Sequence, residues 1–161
     1  MNTSIRKTES WVPPTPQVGH SSIHPAHQRP TSRNRPEFHF DVNVTSKCNL
    51  ACTYCWREPH SDALTKIDDD PYELFLQSVK AHRRLLTGFG GHPSVPREKW
   101  LDAQDPKHVA ISLNGEPTLY SRLGEFLDIC HQHGVSTFLV PNGSLPKVIE
   151  KLDTLPTQLY V

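Results

Sequence analysis

Phe38-His39-Phe40-Asp41-Val42-Asn43-Val44-Thr45-Ser46-Lys47-Cys48-Asn49-Leu50-Ala51-Cys52-Thr53-Tyr54-Cys55 joins two patterns whose combination decides the fold. Residues 38–44 alternate apolar and polar, the period of a half-buried strand. The strand runs directly into three cysteines spaced C-x3-C-x2-C, with Tyr54 immediately before the third. Three thiolates suit three corners of a cubic four-iron, four-sulfur (4Fe-4S) cluster. The fourth iron is then left without a protein ligand and open to a small molecule. The competing reading is zinc, with His60 completing a closed four-coordinate site. Against zinc stands the lack of a second C-x2-C pair elsewhere in the chain.

Working outward, the chain keeps alternating strands with helices. Asp70-Pro71-Tyr72-Glu73 predicts a helix start: Asp70 as N-cap, Pro71 in the first turn, Glu73 reaching back to the cap. Tyr72, Phe75, Leu76 and Val79 form its apolar face, and Gly88 its terminator. Residues 88–107 predict a long loop with a short helix near Lys99. Val109-Ala110-Ile111-Ser112-Leu113 reads as a second strand that ends in Asn114-Gly115-Glu116-Pro117. A helix over 121–133 presents Leu123, Phe126, Leu127 and Cys130 at i, i+3, i+4 and i+7, which makes Cys130 a core thiol and not a ligand. Gly134 closes it. Residues 135–140 form a third strand ending in Pro141-Asn142-Gly143, Ser144 caps a short helix to Leu152, and Gln158-Leu159-Tyr160-Val161 begins a fourth strand.

Strand–helix alternation predicts an α/β fold with a parallel sheet. The three notable loops all follow strand C-termini, the end that carries the site in a (β/α) barrel of TIM type. The fourth strand has no helix after it, and a bare parallel edge is a poor finish. The expectation is therefore a partial barrel, truncated after its fourth strand, over residues 37–161. Residues 1–36 hold five basic side chains against Glu9, six prolines and no apolar period, the composition of a disordered tail.

Composition excludes several classes. Seventeen basic residues balance seventeen acidic ones, so no global field draws nucleic acid. No apolar run is long enough to span a membrane, and no signal peptide opens the chain. Three clustered cysteines without a signal peptide favour metal ligation in a reducing cytoplasm over disulfides.

Glu116 in the Gly-Glu-Pro turn offers a carboxylate for a ligand ammonium group, and Gly115 allows close approach to the backbone. Asn142 offers a side chain to the same ligand. The cysteine spacing resembles the signature of the radical S-adenosylmethionine (SAM) superfamily, whose chemistry needs an open iron for reductive cleavage of SAM. From Lys80 onward the sequence looks like the tRNA 4-demethylwyosine synthase family of wybutosine biosynthesis. The carriers are Ala81-His82-Arg83-Arg84-Leu85-Leu86-Thr87-Gly88, Ile111-Ser112-Leu113-Asn114-Gly115-Glu116-Pro117-Thr118-Leu119-Tyr120, Phe138-Leu139-Val140-Pro141-Asn142-Gly143 and Cys55-Trp56-Arg57. The resemblance implies a radical SAM barrel holding a 4Fe-4S cluster on Cys48, Cys52 and Cys55. It implies SAM held by Tyr54, Asn114, Gly115, Glu116 and Asn142, with Tyr54 against the adenine and Glu116 on the methionine ammonium. It further implies a lyase acting on N1-methylguanosine-37 of tRNA-Phe, with pyruvate as co-substrate and an electron donor such as flavodoxin or ferredoxin. The family also carries upstream cysteines for a second cluster and a lysine that holds pyruvate. This chain has no cysteine before Cys48, and Lys7 and Lys47 are its only upstream lysines. Two other readings stay open: a radical SAM enzyme on a peptide or small molecule, and a non-enzymatic zinc or iron–sulfur module.

Overall fold

Phe40 and Val42 point one way from the first strand and His39 and Asp41 the other, and only the first pair is buried. The same alternation recurs in the next strands, so the sheet has one core face. The computed structural model of the chain describes residues 38–55 and 69–161. The predicted tail, residues 1–36, lies outside the described residues, as do Trp56, Arg57 and His60.

Four strands, β1 (His39–Val42), β2 (His108–Ile111), β3 (Ser136–Leu139) and β4 (Gln158–Leu159), form one sheet in the order β1-β2-β3-β4. Every neighbouring pair is parallel, with His39 opposite His108 and His108 opposite Ser136. Strand order follows chain order with no reversal. That is the winding of a (β/α) barrel; a doubly wound sheet reverses direction at a switch point. The predicted α/β class and parallel sheet are both observed.

Helix α1 (Pro71–Leu85) and helix α3 (Leu123–Gln132) cover the core face. Leu123, Phe126, Leu127 and Cys130 are all buried, as their spacing requires. Burying a side chain of the size of Phe126 or Leu127 contributes about 1.5–3 kcal/mol. The α1 face is narrower than predicted: Phe75 and Val79 are buried, Leu76 half-buried, and Tyr72 exposed beside the His133 ring. Asp70 caps α1 as predicted, its Oδ1 accepting from the Tyr72 and Glu73 amides at 3.0 Å each. Glu73 does not reach back to the cap; its carboxylate accepts from Gln77 one turn on, at 2.6 Å.

The stretch between α1 and β2 holds the predicted short helix around Lys99 as α2 (Arg97–Ala103), and adds an unpredicted 3-10 turn at Phe89–Gly91. Gly134 closes α3 at φ +71. Ser144 does not cap the helix after β3. That helix, α4 (Pro146–Glu150), starts two residues later without a side-chain cap, because the Ser144 hydroxyl is engaged elsewhere. Strand β2 ends at Ile111, two residues early, because Leu113 turns to φ +71.

Candidate functional site

Three loops leave the C-terminal ends of β1, β2 and β3, and hydrogen bonds tie each to the next. The Glu116 amide donates to Lys47 O at 2.7 Å, joining the β2 loop to the segment that leads into the cysteines. The Asn142 amide donates to Glu116 Oε2 at 2.6 Å, joining the β3 loop to the β2 loop. Asn142 Nδ2 donates to Asn49 Oδ1 at 2.9 Å, and Asn49 Nδ2 donates to Ser144 Oγ at 2.8 Å, which closes the ring back onto the cysteine loop.

Gly115 sits at the tightest point. At φ +72 it occupies backbone space that side chains disfavour, and a Cβ there would collide with Thr45 O and lie 2.9 Å from Lys47 O. Glycine is needed here so that two protein backbones can touch. A ligand approaching that point would meet the Thr45 carbonyl.

Glu116 is only 1% exposed. Its Oε1 accepts from the Thr118 amide at 3.1 Å and from the Thr118 hydroxyl, while Oε2 takes the Asn142 amide. The carboxylate thus braces the β2 and β3 loops, and donors within the protein occupy the side chain expected to face a ligand ammonium. Asn142 is exposed, with Oδ1 accepting from the Ser144 amide at 3.0 Å and from its hydroxyl at 2.6 Å. Asn114 follows a tight turn at Leu113, its amide donating to Ser112 O at 2.9 Å. A three-residue turn with positive φ at a leucine is strained. Leu113 is nevertheless 63% exposed.

Cys48 and Cys55 are exposed, Cys52 is half-exposed, and none is in a disulfide. A turn closes the C-x2-C pair, the Cys55 amide donating to Cys52 O at 3.0 Å. Tyr54 is 88% exposed; a hydrogen bond to Cys52 and the nearby Cys52 and Cys55 sulfurs raise its phenol above the ordinary value. Among the described residues no three His, Cys, Asp or Glu side chains are gathered to hold a single metal ion. A cubane does not ask for that, since each thiolate takes a different iron. Three soft sulfur donors on one accessible, turn-closed loop suit an iron–sulfur cluster. Cys130 is set apart: burial pushes its thiol up to about 12, so it is neither a ligand nor a nucleophile near neutrality.

Sequence reading missed Asn49, Ser144 and the Lys47 carbonyl. Asn49 sits inside the cysteine motif, but nothing in its local sequence signals a partner 93 residues away. A cavity of about 260 Å³ lies away from these loops, on the sheet between His39, His108, Ser136 and Gln158.

Residues 42–161 match the Radical SAM superfamily. The chain belongs to the radical SAM superfamily. Within it, the chain is similar to S-adenosyl-L-methionine-dependent tRNA 4-demethylwyosine synthases. It is 42% identical to that of Pyrococcus abyssi over 124 residues, covering 73% of this chain and 36% of the relative. It is 40% identical to that of Methanocaldococcus jannaschii, covering 71% and 39%, and 36% identical to mouse TYW1, covering 71% and 16%. This radical SAM chain thus spans well under half the length of these relatives. A solved structure of TYW1 with a lysine–pyruvate adduct bound matches with a TM-score of 0.67 at 38% identity, over 76% of this chain and 41% of the other. A crystal structure of archaeal TYW1 matches with a TM-score of 0.57 at 41% identity. The radical SAM fold extends from β1 to β4, and the cysteine loop falls within it.

Proposed function

We propose that this chain forms the cluster- and SAM-binding part of a radical SAM enzyme of the tRNA 4-demethylwyosine synthase type. Its substrate is N1-methylguanosine-37 of tRNA-Phe, with pyruvate as two-carbon donor, flavodoxin or ferredoxin as electron source, and the reducing cytoplasm as its setting. The observation that carries the reading is the closed ring of contacts Lys47–Glu116–Asn142–Asn49. It draws the C-x3-C-x2-C loop, the Gly-Glu-Pro turn and the Asn-Gly turn together at the C-terminal end of one parallel sheet.

Cys48, Cys52 and Cys55 would hold the cluster, which when bound supplies an open iron and the electron that cleaves SAM. The protein's own part is positioning and electrostatics. Thr45 and Lys47 carbonyls locked by Gly115 and Glu116 fix where the cysteine loop begins. Glu116, braced by Thr118 and Asn142, fixes the turn that would lie beside bound SAM. Asn114 and Asn142 offer amide groups at the rim, and exposed Tyr54 offers a ring against the adenine. Among the described residues, no helix is long and apolar enough to cross a membrane.

Anaerobic reconstitution with iron and sulfide tests the reading. The expected result is about four iron per chain, with SAM binding measured by calorimetry. One colourless, tightly held zinc would overturn it. With the cluster formed, incubation with reductant, SAM, pyruvate and tRNA bearing N1-methylguanosine tests the substrate. SAM cleavage without the tricyclic base would favour a different substrate.

A further inference from the structure

Cys48 lies between two residues that are each tied to the loops after β2 and β3. On one side the Lys47 carbonyl accepts from the Glu116 amide at 2.7 Å, with Gly115 packed on the Thr45 carbonyl just before it. On the other side the Asn49 side chain belongs to a ring of hydrogen bonds with the loop after β3. The ring runs in one direction only. The Ser144 backbone amide can only donate, so it claims Asn142 Oδ1 at 3.0 Å. Asn142 Nδ2 is thereby turned to Asn49 Oδ1 at 2.9 Å, which leaves Asn49 Nδ2 to donate to Ser144 Oγ at 2.8 Å. The Ser144 hydroxyl then donates to Asn142 Oδ1 at 2.6 Å and closes the ring. Turning over either side-chain amide would set a donor against a donor. The Asn142 backbone amide, bonded to the buried Glu116 carboxylate at 2.6 Å, ties the ring to the interior.

We propose that Asn49 and Ser144 are positioning residues for Cys48: they hold the residue after it while the Glu116 amide holds the residue before it, so this thiol is placed before any metal arrives. All groups of the bracket lie within residues 45–49, 115–116 and 142–144. With both neighbours tied, the Cys48 backbone keeps little of the freedom that ligand binding would otherwise have to remove. Each bond of the ring is exposed, and one alone would compete with water; bonds that share donors and acceptors around a closed ring strengthen one another. Ser144 is the member on which the ring turns, because its hydroxyl both accepts from Asn49 and donates to Asn142, and it caps no helix. The use of a pre-placed Cys48 in holding a cluster rests on the proposed function; the bracket around it does not.

Ser144→Ala is the test, with Ser94→Ala as the matched control. Both remove one exposed serine hydroxyl, and Ser94 lies in the turn before α2. In the metal-free chain, solvent exchange of the Asn49 side-chain NH2 protons should rise about threefold to tenfold in Ser144→Ala, the effect of one hydrogen bond. The NMR order parameter of the Cys48 amide should fall from the rigid value of about 0.85 in the same variant. Both should stay at wild-type values in Ser94→Ala and return to them in Ser144→Thr, which keeps the hydroxyl. Iron loss to a chelator from the reconstituted chain should quicken in Ser144→Ala alone, with the urea midpoint unchanged. An unmoved Cys48 order parameter in Ser144→Ala, the same fall in Ser94→Ala, or iron lost no faster than from wild type would overturn the proposal. If Ser144→Ala does not fold, Asn49→Ala, altered at an exposed loop position, carries the same comparison at Cys48. A wild-type chain that holds no iron would refute the cluster reading, while the order parameter still decides the bracket.

Discussion

At the scale of single residues, Gly115 and Glu116 change meaning once their surroundings are known. Gly-Glu-Pro reads in sequence as a turn open to a ligand, yet Gly115 presses on Thr45 and Glu116 is buried among protein donors. Gly115→Ala would add a Cβ against a carbonyl and force a left-handed φ on alanine. Together these should cost about 2–4 kcal/mol, measured by urea unfolding. Glu116→Gln turns an acceptor-only group into one that offers an NH2 where backbone amides already point. Stability should fall by about 1–3 kcal/mol, with SAM binding weakened in step and iron content unchanged. Weaker SAM binding at unchanged stability would instead put the carboxylate within reach of the ligand. The cysteines divide cleanly. Replacing Cys48, Cys52 or Cys55 with Ala should abolish iron retention, read by metal analysis after reconstitution. Cys130→Ala should leave the iron content intact, because its thiol is buried and resists ionisation.

At the scale of elements, the start of α1 is where charge and capping meet. Asp70 accepts from the Glu73 and Tyr72 amides and pairs with Arg122. The Glu73 amide first, and then Arg122, hold the Asp70 carboxyl below its ordinary value of 3.8, against a desolvation effect that raises it. A depressed carboxyl contributes stability above its unfolded pKa and loses it as pH falls through the folded value. Asn caps a helix as well as Asp but carries no charge. Wild type should therefore be more stable than Asp70→Asn near pH 6, and the difference should close as pH drops below about 4, followed by thermal melts across that range. A difference that persisted at low pH would assign the effect to hydrogen-bond geometry. Helix α3 also carries charge at its start, where Arg122 pairs with Glu125 in the first turn. Its buried stripe, Leu123, Phe126, Leu127 and Cys130, was visible in the spacing because packing against a sheet demands that period.

At the scale of the whole molecule, four parallel strands in chain order make one wall with a hydrophobic side and a mixed side. Phe40, Val42, Val109, Ile111 and Leu139 meet the helices, while His39, Asp41, His108, Ala110, Ser136 and Phe138 line the other face. A parallel sheet buried on both faces would be apolar throughout. Strands in chain order with the candidate loops at their C-terminal ends are the layout of a barrel that works at one end. The matched region covers only 36% and 39% of two of the tRNA 4-demethylwyosine synthases it resembles, so the activity of the reconstituted chain is the measurement that decides how much of their chemistry this region carries.

Local rules were enough for the strand–helix alternation, the Asp70 cap, the Gly134 stop, the Cys130 core position and the three-thiol motif. Each depends on neighbours within a turn or two of chain, and periodicity and side-chain chemistry record those directly. The 3-10 turn at Phe89–Gly91, the exposure of Tyr72 and the early end of β2 at Ile111 depend on what packs alongside, which no local pattern records. The site shows the same division. The cysteines were legible because three thiols at that spacing have few other uses. The partners of Asn49 and Glu116 lie 93 and 26 residues away, and only folding brings them within hydrogen-bond distance. Sequence thus singled out the groups proposed to carry the chemistry. The tertiary structure decided which groups hold them still, because backbone contacts between loops leave no trace in residue type beyond a glycine where two chains must touch.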